Sequence, residues 1–190
     1  MKKIRFVCGY GQAFSRKGSP YPTITMKQII NLVEHPECKP KAKATWFIPS
    51  SYSEGWARKH EVQLEAGAFY CLTVDIDEGN PAIDEVVGSI EAILGDVHML
   101  VYSSSGATQE LRKWRALVPL NRAMNGYEWT ATQEIFFDRL EKERLNVDRA
   151  LKRPGQLVFL PNIPPERRDS QGIPEFYKWR KIVGVRYALS

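Results

Sequence analysis

The sequence has few residues of the kinds that build soft-metal or disulfide sites. Its 190 residues include three cysteines and three histidines. The cysteines, Cys8, Cys38 and Cys71, are far apart and form no CxxC pair. A structural zinc site needs closely spaced ligands, and a disulfide framework needs an even number of cysteines. The sequence also has no HxxxH or HxH motif, which argues against a metalloprotease or a histidine-dependent relaxase.

Long apolar runs and phosphate-loop motifs are absent as well. No segment approaches the roughly 18 apolar residues of a membrane span. The first residues, MKKIRFVCGYGQAF, lack the apolar centre of a secretory signal. We therefore expect a cytoplasmic protein with no membrane partner. A GxxxxGK[ST] motif is also missing, so the chain carries no P-loop helicase of its own.

The residues that are present describe a globular protein with an uneven charge. Hydrophobic residues make up 43% of the chain, enough for a sizeable core. Residues 149–190 hold nine Lys or Arg but three Asp or Glu, whereas the first 148 residues are about neutral. This basic end indicates a polyanionic partner, although a solvated surface would have the same composition. Its aromatic residues 176, 177 and 179 suit either base stacking or core packing.

Hydrophobic periodicity predicts an α+β fold. We expect helices at 25–34, 82–94 and 127–144, with Thr23 or Thr25 as the first N-cap. We expect strands at 3–8, 44–49, 68–77, 97–104, 113–120 (stopped at Pro119) and 156–161, and a last one near 182–187. From residue 68 the order is strand, helix, strand, strand, helix, strand, which is typical of an RRM-like four-stranded sheet with two helices on one face. The predicted parts are an α/β lead-in subdomain (1–67), an RRM-like unit (68–162) and a basic tail (163–190).

Two carboxylates lie at the end of the clearest strand. Asp75 and Asp77, in LTVDID, are two residues apart and so share one face of the strand. Side by side and partly desolvated they would repel each other, and a bound cation would remove that cost. Oxygen ligands suit Mg²⁺ or Mn²⁺. Taken alone, the pair is more typical of a turn that follows a strand.

Three further features surround this pair in the sequence. YSSSGAT provides the hydroxyls of Ser103, Ser104, Ser105 and Thr108 around a glycine, which suits a phosphate cradle. Lys113 and Arg115 share a strand face and could bind a triphosphate. Asp148, before the last strand of the unit, could complete a carboxylate triad for two-metal nucleotidyl transfer. Each of these features is also compatible with an ordinary loop, strand or helix end.

Taken in order, these features resemble one family. VDID, then YSSSGAT with KWRALVPL, then VD with PGQLVFLP resembles phage- and plasmid-encoded members of the archaeo-eukaryotic primase superfamily, the primase-polymerases. The resemblance covers roughly residues 44–162. It implies an α/β piece joined to an RRM-like catalytic unit that makes primers or extends strands from nucleoside triphosphates.

The resemblance also implies roles for individual residues. Asp75, Asp77 and Asp148 would be the catalytic ligands of Mg²⁺ or Mn²⁺, and Ser103, Ser105, Thr108, Lys113 and Arg115 would bind the nucleotide. The template would be single-stranded DNA, and a separate helicase would unwind it. The chain departs from the family where a Ser-x-His motif places a histidine on the incoming nucleotide, because Ala107 stands at that position.

Two other functions remain open at this point. One is a catalytically degenerate module that binds single-stranded DNA or a replication origin, which the missing histidine favours. The other is a metal-dependent nuclease, since nucleases use similar carboxylates.

Overall fold

The computed structural model describes residues 4–11, 20–185 and 188, and these form eight strands and four α-helices. The strands are β1 (Arg5–Tyr10), β2 (Thr23–Thr25), β3 (Thr45–Ile48), β4 (Ala68–Ile76), β5 (Met99–Ser103), β6 (Trp114–Asn125), β7 (Val158–Phe159) and β8 (Trp179–Ile182). The helices are α1 (Met26–Glu34), α2 (His60–Ala66), α3 (Ile83–Leu94) and α4 (Gly126–Lys142).

The strands form two antiparallel sheets. The first has the order β2-β1-β3-β7 and the second β4-β6-β5-β8. One continuous hydrophobic core joins them, with Trp46 and Phe47 of the first sheet and Leu72 and Trp114 of the second fully buried. The predicted α+β class is confirmed.

The helices begin and end where the sequence places their capping residues. Thr25, one of the two predicted caps, forms a capping box with Gln28: the Thr25 hydroxyl accepts from the Gln28 N–H at 3.3 Å, and the Gln28 Oε1 accepts from the Thr25 N–H at 3.0 Å. Helix α3 is followed by Gly95 with a φ of 79°, a conformation that favours glycine. Across the described residues, no helix has both the length and the apolar character needed to cross a bilayer.

The predicted fourth strand of the RRM-like sheet lies in the other sheet, so that part of the prediction is wrong. β7, within the segment 156–161, pairs with β3, and β8 occupies the edge beside β5. The open edge of β4 is covered by α4 instead: the Trp129 indole donates to the Cys71 carbonyl at 2.9 Å, and the Gln133 amide bonds both backbone groups of Thr73. No strand is needed at that edge because its polar groups already have partners.

Two element boundaries differ from the prediction, and two short elements were not predicted. β6 continues through Pro119 to Asn125, because the β4–β6 register shifts between Phe69 and Cys71 and Pro119 lies at that irregularity. The short elements β2 and α2 were not predicted. The last strand is at 179–182, and residues 186 and 187 of the predicted strand lie outside the described residues.

Candidate nucleotide-binding cleft

A cleft of about 430 Å³ opens between the two sheets. Polar and cationic side chains from distant parts of the chain line it, together with a few small or apolar ones. The lining residues are Lys41, Ala42, Ala44, Asp77, Ser104, Ser105, Gly106, Lys113, Arg115, Phe159, Leu160 and Asn162. The cleft therefore brings together the end of β4, the loop after β5, the start of β6 and the strand β7.

A row of polar side chains crosses the second sheet below this cleft. The strand register places Asp75 opposite Arg115 and Arg115 opposite Tyr102, so the three share one face. The Arg115 Nε lies 2.9 Å from the Asp75 Oδ2. The Tyr102 hydroxyl donates to the Phe159 carbonyl at 3.0 Å, and the Arg115 Nη1 donates to the same oxygen at 3.5 Å. This row therefore ties the second sheet to β7 of the first.

Asp75 is the carboxylic acid of this row. Burial raises the pKa of its carboxyl, Arg115 opposes that rise, and the nearby charges of Asp77 and Asp148 add to it. The Asp75 Oδ1 is buried and has no hydrogen-bond partner among the described residues. For Arg115, burial works against the charged form, but Asp75 and Tyr102 outweigh it and raise the guanidinium pKa. An oxygen of Asp75 is thus left without a donor or a cation.

Asp77 lies on the wall of the cleft. About half of its side chain is exposed, and the Lys113 Nζ lies 3.4 Å from its Oδ1. A half-exposed pair at this distance stabilises the fold little, because water screens it and the lysine keeps its freedom. Lys113 can therefore leave Asp77 for another anion at small cost.

Asp148 reaches the same region through the backbone. Its N–H donates to the Asp75 carbonyl at 2.8 Å, while its own Oδ1 accepts from the Ala150 N–H at 2.9 Å and caps the 3₁₀ turn Arg149–Lys152. Its side chain is exposed and does not line the cleft. Within the part of the chain that is described, no three His, Cys, Asp or Glu residues are arranged to hold a metal ion. The three-acid metal site therefore stays a prediction.

In the polar loop after β5, some side chains form hydrogen bonds within the fold and others line the cleft. Ser103 is buried, with its hydroxyl bonded to the Lys178 carbonyl at 3.0 Å and N–H at 2.8 Å, which fixes β8. Thr108 accepts from the Leu111 N–H at 2.9 Å within its own turn. Of the four predicted hydroxyl residues, Ser104 and Ser105 line the cleft. Ala107 is buried and, with Thr108, lines a neighbouring pocket.

Several cleft residues were missed by sequence reasoning. Lys41 belongs to a basic run, KPKAK, whose charge was a usable signal. Asn162 holds that run in place, because its side-chain amide accepts from the Lys39 N–H and donates to the Lys39 carbonyl, both at 2.9 Å. Phe159 carried no signal, since its place in the cleft depends on which strands pair.

Comparisons with known proteins were made for sequence and for fold. No protein-family model and no curated protein matches the sequence. Among solved structures, the chain is similar to the AEP domain of the cyanophage S-2L primase-polymerase (PrimPol). The TM-score is 0.52 and the sequence identity 11%, over 98% of this chain and 84% of that one. The chain has an archaeo-eukaryotic primase-like fold. At this identity the likeness concerns the fold and assigns no residue.

The aromatic residues near the C-terminus belong mainly to the core of this primase-like fold. Phe176 is buried, with its ring 6.2 Å from that of Trp114. The Tyr177 hydroxyl donates to the Val33 carbonyl at 2.8 Å, and Trp179 begins β8. Core packing therefore accounts for this aromatic cluster.

Proposed function

We propose that this protein is a metal-dependent nucleotidyltransferase of the primase-polymerase type, which joins nucleoside triphosphates on a single-stranded DNA template. One observation carries the proposal: Asp75 has a buried carboxylate oxygen without a partner among the described residues, and its ion-pair partner Arg115 lines a cleft together with Asp77, Lys113 and a small polar loop. The primase-like fold supports the same function. The basic end of the chain, residues 149–190, suits a nucleic-acid partner.

The donor set suits a divalent metal of the hard-oxygen type. Asp75 and Asp77 offer carboxylate oxygens, which Mg²⁺ and Mn²⁺ prefer, and the Asp148 side chain would have to turn from its cap to join them. The Asp75 Oδ1 is a buried acceptor without a partner, and the pKa of this acid is raised partly by the other two carboxylates. When bound there, the metal would lower the pKa of the attacking 3′-hydroxyl and neutralise phosphate charge.

The chain's own side chains would bind and position the triphosphate. Lys113 and Lys41 offer mobile ammonium groups to phosphate oxygens on the cleft wall, and both can supply electrostatic stabilisation of the transferring group. Ser105 and Gly106 form the floor beside them, where the lack of a side chain at Gly106 allows close approach to a ligand. Arg115 remains with Asp75, orienting that carboxylate and opposing the rise in pKa that burial causes.

A non-catalytic nucleic-acid-binding module is the second candidate. Two ion pairs favour this candidate, because they already give both acids a cationic partner. Arg115 faces Asp75, and Lys113 faces Asp77. A binding module needs no free carboxylates, and Ala107 stands where the family pattern has its nucleotide-contacting histidine.

The deciding experiment is a primer-synthesis and extension assay. The protein is incubated with a single-stranded template, labelled nucleotides and Mn²⁺ or Mg²⁺, with Asp75→Asn as the test variant. Asp84→Asn, an exposed acid on α3, is the matched control. We expect product from the wild type and the control, and at least about 100-fold less from Asp75→Asn, since removing a ligand costs more than removing an outer partner.

Two other outcomes would favour the alternatives. No product from any form, with DNA binding unaffected by EDTA, would support the binding module and contradict the proposal. Shortening of labelled DNA with metal but without nucleotides would indicate a nuclease.

A further inference from the structure

A second polar pocket adjoins the cleft. It has a volume of about 330 Å³ and is lined by Arg58, His60, Gly155, Gln156, Leu157 and Phe159. Phe159 lines both this pocket and the main cleft, and its ring is half-buried. The two cavities are therefore neighbours that share one aromatic residue.

Gly155 shapes this pocket through close backbone contacts. Its N–H donates to the His60 Nδ1 at 3.1 Å. A Cβ at this position would lie 2.6 Å from the Arg58 carbonyl oxygen and 3.0 Å from the His60 Nδ1, so a larger residue would push the two segments apart. Because Nδ1 accepts a hydrogen bond, the neutral imidazole carries its proton on Nε2, as a donor for a ligand oxygen.

Cations predominate around His60. Arg58 lines the pocket, with its guanidinium carbon 5.6 Å from the Trp46 ring centroid. Burial lowers the pKa of the His60 imidazole most, and the nearby charge of Arg153 lowers it further. The charge of Glu61 acts in the opposite direction. The Arg153 guanidinium donates at 3.0 Å to the Oε1 of Gln156, which lines the pocket. Two arginines and an imidazole N–H form a donor set suited to a phosphate.

We propose that this pocket binds a phosphodiester of a single-stranded nucleic acid, and that the adjacent base stacks on Phe159 at the entrance to the cleft. The incoming triphosphate is a poorer occupant, because the main cleft has its own cations, Lys41 and Lys113, on the other side of Phe159. Single-strand sites commonly combine arginines that hold the backbone with an aromatic ring that carries a base. The choice of ligand rests on the proposed function, but its binding needs neither metal nor catalysis.

The test is a pair of binding titrations by fluorescence anisotropy, with labelled single-stranded DNA in EDTA and with a labelled nucleoside triphosphate in Mn²⁺. The test protein is the double variant His60→Asn, Arg153→Gln. Asparagine keeps an acceptor for the Gly155 N–H while removing the Nε2 donor. Arg139→Gln, an exposed cation on α4, is the control. We expect the DNA affinity of the double variant to fall about 10-fold, and its salt slope to shrink by about 0.7 for one lost contact. Triphosphate affinity should stay unchanged.

Two results would overturn the proposal. One is a DNA affinity equal to that of Arg139→Gln. The other is an equal loss of DNA and triphosphate affinity, which would assign the pocket to the nucleotide.

A second measurement leaves the wild-type protein unaltered, in case the double variant folds poorly. Neutral methylphosphonates are placed one position at a time along the DNA. We expect one position at which affinity falls, whereas a flat profile would contradict the site. If the DNA results hold while the extension assay yields no product, the pocket stands and the proposed polymerase activity fails.

Discussion

Asp75 and Arg115 determine the electrostatics beneath the cleft. Both side chains are largely buried, and their ion pair is 2.9 Å long. Asp77 and Asp148 add negative charge near Asp75, whereas Arg115 stabilises the charged form of the buried Asp75 carboxylate. A carboxylate held in this way retains one oxygen for another ligand.

This arrangement makes Arg115 a pH-dependent source of stability. We expect Arg115→Gln to lower the free energy of unfolding by about 3–5 kcal/mol at neutral pH, because it leaves a buried charge without its partner. Urea denaturation at neutral and at mildly acidic pH measures the change. The matched control is Arg122→Gln, whose partner Glu128 lies with it on the exposed surface.

The sign of the pH effect follows from the pKa of Asp75. Burial raises the pKa of Asp75 in the native state above its value in the unfolded state. At a pH between these two pKa values, the native state holds a proton that the unfolded state has released. Stability from this group therefore falls as pH rises through that window and returns on acidification. Loss of Arg115 would widen the window towards neutral pH. Equal destabilisation at both pH values, or a loss no larger than that of Arg122→Gln, would contradict this description.

Helix α4 closes the open edge of β4 with side chains. Trp129 and Gln133 are buried on the face that meets β4, and they bond the backbone of Cys71 and Thr73. The Gln133 amide occupies the place of a neighbouring strand for Thr73, offering both a donor and an acceptor. Asp75 lies two residues further along β4, so this contact also supports the strand that carries the acids.

The variant Gln133→Leu tests this edge contact. It removes both partners of Thr73 without opening a cavity, and an unsatisfied buried backbone group costs about 1–3 kcal/mol. We therefore expect a loss of that order or larger in chemical denaturation, whereas exposed Gln109→Leu should change stability little. A stability of Gln133→Leu equal to that of the wild type would show that the edge is satisfied by other means.

Local signals in the sequence are enough for most helices and strands. The capping box at Thr25, Gly95 after α3 and the alternation through Asp75 all act within a few residues, so α1, α3 and β4 lie close to their predicted bounds. The signal failed where tertiary contacts override local preference. Pro119 would stop an ordinary strand but sits at a register shift in β6, and α2 has only seven residues and no side-chain N-cap.

Strand partners could not be predicted in the same way. The segment 156–161 has the composition of a strand whether it pairs with β4 or with β3, and α4 decides between them by occupying the β4 edge. The cleft depends on that choice, because β7 brings Phe159 opposite Tyr102 and Arg115. The sequence thus located Asp77, Ser105, Lys113 and Arg115, which line the cleft, but not the opposite wall at Lys41 and Asn162.

The two sheets of the protein bring acids and bases together from separate regions of the chain. The acids come from β4 and the turn after it, whereas cations come from β6 and from the segment before β3. A site that contains both signs of charge suits a metal-bound polyphosphate, because each charge of the ligand meets its opposite. Binding of the metal and of the nucleotide should therefore depend on each other.

Calorimetric titration of a nucleoside triphosphate, with and without Mn²⁺, into the wild type, Asp75→Asn and Asp84→Asn tests the central claim most directly. Asp75→Asn also leaves the buried Arg115 guanidinium without a charged partner, so the fold of this variant is first checked by circular dichroism. We predict Mn²⁺-dependent binding to the wild type and to Asp84→Asn, and its loss in a folded Asp75→Asn. Equal binding to all three proteins, or binding that ignores Mn²⁺, would contradict the assignment of Asp75 as a metal ligand.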